Sequence, residues 1–104
     1  MKSDYPRAKA TPSQQIDNFN VIVTRWDFPP GGETGWHKHE HDYVVVPLTQ
    51  GTLTLETRDG VIKSELWPGT SYARGAGVEH NVINSNDFEF SFIEIEIKQQ
   101  HSKK

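Results

Sequence analysis

Apolar residues along this chain recur at every second position, not at helical spacings of three and four. Residues 51–56 read GTLTLE, with Leu53 and Leu55 on one side and Thr52, Thr54 and Glu56 on the other. Side chains two apart share a face in an extended strand, so this segment is predicted as a half-buried strand. Residues 20–28 (NVIVTRWDF) carry β-branched side chains suited to a pleated surface. Residues 43–48 (YVVVPL) are nearly all apolar, as in a strand covered on both faces. Asp59-Gly60 predicts a tight hairpin leading into a strand at 61–67, and Pro68-Gly69 predicts a second turn. Shorter strands are predicted at 70–74 and 80–83. Residues 88–97 (FEFSFIEIEI) alternate most clearly. Phe88, Phe90 and Phe92 oppose Glu89 and Ser91; then Ile93, Ile95 and Ile97 oppose Glu94 and Glu96. The parity changes between Phe92 and Ile93, which predicts a bulge or a strand that changes sheets.

About eight short strands separated by turns predict an all-β sandwich, jelly roll or barrel. Residues 1–18 are polar and contain Pro6 and Pro12. They read as an N-terminal extension, disordered or strapped onto a neighbour. Residues 98–104 form a polar tail, which leaves 19–97 as the single domain.

Composition narrows the chemistry. A chain of 104 residues has room for one small domain. It has no cysteine, which excludes disulfides, thiolate metal sites and a cysteine nucleophile. The net charge of −3 and the lack of a basic stripe argue against a nucleic-acid partner. No apolar run is long enough to span a membrane and no apolar leader is visible, so a cytoplasmic location is expected.

The histidines stand out. In GWHKHEHD, residues 35–42, His37 and His39 project from one face of a strand, about 7 Å apart at the backbone. Two imidazoles so placed can grip one metal ion, and His80, before the apolar Val82 and Ile83, can supply a third ligand. Simple alternation puts His41 on the same face. The competing reading is a solvated loop whose histidines and acids serve no ligand. Glu33, Glu40 and Glu79 read as solvated loop charges, and the tryptophans mainly as core. Arg25 and Arg74 would bind a substrate carboxylate only if they point inward, against the usual habit of arginine in strands.

At these residues the chain resembles the cupins. Gly31, His37, His39 and Gly51 match that family's first motif, and Gly69, Gly77, His80 and Asn84 its second. Residues 42–49 (DYVVVPLT) also look like small one-domain members. Two positions depart from the pattern. Gly75 stands where the second motif has proline, and the glutamate of the first motif falls on Tyr43 or Val44. The resemblance implies a cupin-type double-stranded β-helix, a jelly-roll barrel. It implies one divalent transition metal, Zn, Fe, Ni, Mn, Co or Cu, on His37, His39 and His80. A fourth ligand, or a group just behind the ligands, would be His41, Asp42 or Tyr43; a turn after His-x-His favours the rim for His41. Without the glutamate the ion keeps its full charge of about +2, which favours anionic ligands. The implied function is that of a dioxygenase-, isomerase- or lyase-like protein acting on or binding a small polar or anionic metabolite. The alternative is a non-catalytic ligand-binding or sensor module. The resemblance also implies a homodimer, through sheet-to-sheet contact or an exchanged N-terminal segment.

Overall fold

The computed structural model describes residues 7–98. The remaining residues of the predicted extension and tail lie outside the described residues. Nine strands run in chain order: β1 (Thr11–Asp17), β2 (Val21–Phe28), β3 (His37–Lys38), β4 (Asp42–Pro47), β5 (Gly51–Thr57), β6 (Gly60–Leu66), β7 (Tyr72–Arg74), β8 (Glu79–Asn84) and β9 (Phe90–Ile97). The described residues contain no helix. One sheet has the order β1-β2-β9-β4-β7 and the other β3-β8-β5-β6. Every pairing between strands is antiparallel. The predicted all-β jelly-roll barrel is therefore the observed class.

The core forms where the inner faces meet. Phe28, Leu53 and Phe90 are fully buried, and Tyr43, Val45, Val82 and Phe92 pack with them. The β5–β6 hairpin closes at the predicted Asp59-Gly60 turn, where Thr57 pairs with Gly60 and the glycine adopts φ +126°. The motif asparagine Asn84 is a buried clamp. Its amide donates to the carbonyls of Phe88 at 2.8 Å and Pro29 at 3.1 Å, and its Oδ1 accepts from the Asn86 backbone N–H at 3.0 Å. It thereby ties the approach to β9 to the end of β2.

Three details differ from the sequence reading. Residues 11–17, read as part of an extension, form β1 on β2, with a register shift between Gln14 and Ile16. β1 is exposed on both sides, so main-chain pairing holds it and no apolar alternation marks it. β4 is not sealed on both faces: Tyr43, Val45 and Pro47 are buried, but Val44 and Val46 are only half-buried. β9 neither bulges nor changes sheets; its register against β2 and β4 is unbroken. Phe90, Phe92 and Glu94 point inward, and Ile93, Ile95 and Ile97 lie on the outer face.

Candidate metal centre

β3 pairs with β8 so that His37 lies directly opposite His80. Opposed residues on an antiparallel pair project to one side, which brings these rings together. His39 follows the end of β3. Its N–H donates to the Val78 carbonyl and its carbonyl accepts from the Gly77 N–H, both at 2.8 Å. Gly77 has φ +97°, a conformation costly for any residue with a Cβ, so this turn explains the motif glycine.

The three rings meet at their Nε2 atoms, with His37 to His39 at 3.1 Å and His39 to His80 at 3.2 Å. Nitrogens about 2.1 Å from a common ion lie about 3.0 Å apart at right angles and about 3.4 Å apart in a tetrahedron. The observed spacing falls between these values, so the donor set fits a single ion. His37 Nδ1 lies 2.8 Å from the Gly35 carbonyl, which can only accept. The neutral form of His37 therefore carries its hydrogen on Nδ1 and turns the Nε2 lone pair to the cluster.

Burial sets the charges. His39 and His80 are buried, and desolvation followed by the positive charge of His37 pushes them down to about 3 and about 4. Both are neutral near pH 7, the form that binds metal. Glu94 enters from β9, buried, with Oε2 3.8 Å from His39 Nε2. Desolvation pushes its carboxyl up to about 7, against the Trp26 N–H that reaches Oε1 at 3.3 Å. Tyr43 stacks on His39 with ring centroids 3.9 Å apart, and burial pushes its phenol up.

A hydrogen-bond frame holds the His37 turn from behind. The Gly35 N–H donates to Asn81 Oδ1 at 2.9 Å, and the Asn81 amide donates to Glu33 at 2.8 Å and Glu56 at 3.1 Å. Arg7 closes the frame on Glu33 at 2.9 Å. Glu33 is therefore no free loop charge: the Asn81 hydrogen bond, then Arg7, hold its carboxyl below the usual range.

The structure brings His37, His39 and His80 together and leaves His41 and Asp42 outside that group. His41 sits in the bend before β4, and Asp42 Oδ1 accepts from the Ala76 N–H at 2.8 Å. Of the two positions open to the family's glutamate, Tyr43 faces the cluster and Val44 faces away. Glu94 is the site residue that sequence reasoning missed. It and Glu96 lie near His39, on the strand beside β4. The parity change at Phe92 was the available signal, because continuing the Phe90–Phe92 face along β9 turns Glu94 inward. Arg25 faces out and pairs with Asp27 at 3.1 Å, whereas Arg74 lines the interior cavity. A groove of about 450 Å³ leads to the cluster past Gln14, Trp26 and Lys38.

Comparison with known proteins agrees with this architecture. Residues 24–96 match the model of the Cupin_2 family, described as a cupin domain. The chain is 59% identical over 92 residues to the beta-alanine degradation protein BauB of Pseudomonas aeruginosa, a match covering 88% of this chain and 97% of that protein. It superposes with a TM-score of 0.90 on the crystal structure of a cupin domain from Bordetella pertussis, at 61% identity over 91% of this chain and 99% of that one. A cupin superfamily protein from Desulfitobacterium hafniense shares the fold at a TM-score of 0.69 with 15% identity, covering 93% and 84% of the two chains. With the family model matched over residues 24–96 and a relative 59% identical over nearly its whole length, this chain belongs to the cupin family.

Proposed function

We propose that this chain is a cytoplasmic, metal-dependent cupin that acts on a small polar or anionic metabolite at His37, His39 and His80. The observation that carries this reading is the convergence of three Nε2 atoms, two of them on buried imidazoles held neutral. These residues would hold one divalent ion of the Zn, Fe, Ni, Mn, Co or Cu series. Such an ion would supply Lewis-acid polarisation and, if redox-active, electron chemistry. Glu94, with its acidity near neutral, takes up or releases a proton beside the cluster. The name of the Pseudomonas relative supports a substrate on a route that breaks down β-alanine, hence a short amino or carboxylic compound. Elemental analysis of untagged protein, followed by turnover on a panel of such compounds, tests the reading. The expected result is about one ion per chain and turnover that depends on it. Protein from metal-replete cells that carries no transition metal overturns it, and metal without turnover on any compound favours the sensor alternative.

A homodimer built on the outer face of the five-stranded sheet is also proposed. Strand register aligns Ile16, Val23, Ile95 and Val44 in one cross-strand row, with Ile93 and Val46 beside it. The five strands, about 4.8 Å apart and three to eight residues long, give a face of roughly 500 Å². Two such faces bury about 1,000 Å², at the lower bound for a specific interface. Arg25 and Asp27 place both signs of charge on this face, so a twofold-related copy meets its opposite. Light scattering at micromolar concentration should give the mass of two chains, and Ile95→Lys should give one. A single-chain mass for the unaltered protein overturns the dimer and leaves the face to another partner.

A further inference from the structure

Beside the histidines the barrel holds a small, partly open cavity of about 40 Å³, room for about three waters. His39, His80, Tyr72 and Arg74 all border it. Its remaining walls include Val45, Leu55 and Phe92, so it is largely apolar. Register explains why an arginine borders the cavity here: Arg74 pairs with Tyr43 and Tyr72 with Val45, and both partners are buried, while Arg74 itself stays exposed at the rim. The guanidinium lies 4.7 Å over the Tyr72 ring, and its Nη1 donates to the Ala73 carbonyl at 2.9 Å. Those contacts fix the head and use one of its five N–H donors. Arg25, by contrast, is neutralised by Asp27 on the outer face. Glu94 also borders the cavity, with its Oε2 3.8 Å from His39 Nε2.

A cavity lined by a planar cation, two imidazoles and apolar walls suits one ligand class. We infer that it binds a short carboxylic acid, with the carboxylate on the Arg74 guanidinium and the remainder directed toward His39 and His80. A guanidinium fork matches two carboxylate oxygens, and the volume admits an acid of a few carbons but no sugar. This assignment deepens the metal-site reading and rests on it for the second end of the ligand.

Propionate and propionamide are the probes, since they differ in charge and little in shape. Each is titrated calorimetrically, at fixed ionic strength, into Zn-loaded full-length protein, Arg74→Gln and Arg74→Lys, with the zinc content of every sample measured. Propionate should bind the unaltered protein about tenfold more tightly than propionamide, the low end for a charged hydrogen bond at a partly exposed site. Arg74→Gln should erase that preference and Arg74→Lys restore part of it. Equal affinity for acid and amide overturns the assignment, as does unchanged propionate binding by Arg74→Gln or no propionate binding at all. Failure of the unaltered protein to retain zinc is a separate result: it overturns the metal site. The charge preference of the metal-free protein for propionate then still decides the role of Arg74.

Discussion

His80→Ala should lose its metal while the barrel stays folded. The side chain supplies one of three converging nitrogens, whereas the backbone of β8 is held by β3 and β5 whatever the side chain. Loss of a partner behind a ligand typically costs 10–100-fold in metal affinity, so loss of the ligand itself should exceed about 100-fold. The space vacated opens onto the cavity that His80 already lines. Water can enter there, which limits the penalty of an empty void. Elemental analysis and chelator competition measure the affinity, and circular dichroism checks the strands. Full occupancy in the variant would show that the cluster holds no ion.

The second large effect is in the pH dependence of the metal-free protein. His39 and His80 fall from 6.5 to about 3 and about 4 on folding, chiefly through burial and then through the charge of His37. The unfolded chain binds protons that the folded chain refuses, so this stability is full above 6.5 and is lost as pH falls toward 4 and then 3. Glu94 acts in the opposite sense. Burial raises it from 4.5 to about 7, so its stabilising proton is held below 4.5 and lost as pH rises toward 7. Between 4.5 and 6.5 the unfolded chain gains two protons at the histidines and lacks one at the glutamate. The net difference of one proton makes stability rise by about 1.4 kcal/mol per pH unit across that window. Above it the trend reverses slightly as Glu94 ionises. Glu94→Gln removes the opposing group, so its slope in the same window should be about twice as steep, near 2.7 kcal/mol per unit. At pH 8 the variant should exceed the parent by about 3 kcal/mol. Urea denaturation in chelator across the pH range measures both curves, and identical slopes would mean that Glu94 is not buried as a proton-holding acid. In loaded protein, bound metal adds stability at neutral pH that acid removes, because protons compete for the same imidazoles.

The sequence announced its strands wherever one face is wet and the other dry. The Leu53–Leu55 alternation and the Asp59-Gly60 turn needed no tertiary information. The pairing of His37 with His80 became legible only because spaced glycines frame both segments. What escaped depends on surroundings that alternation cannot report. β1 buries neither face, so its residues carry no period. Glu94 is a charged residue at a buried inward position, which the usual rule sends outward, and Arg74 borders the cavity while its side chain stays exposed. Ile93 and Ile95 obey the converse rule and still face away from the core. Binary patterning assumes one interior, whereas this sheet has a filled barrel on one side and a second apolar surface on the other.

The Arg7–Glu33–Asn81–Gly35 chain of contacts also bears on how the protein should be handled at the bench. Arg7 and Ala10 precede every strand, yet Arg7 grips the Glu33 carboxylate and the Ala10 N–H donates to the Glu33 carbonyl at 2.8 Å. A trimmed version beginning at Thr11 would keep all nine strands and give an ordinary far-ultraviolet spectrum. It would nonetheless have unhooked the brace that steadies His37 from behind. Shortened forms chosen for better crystals would thus be poor stand-ins for the whole chain wherever the histidine cluster is the subject.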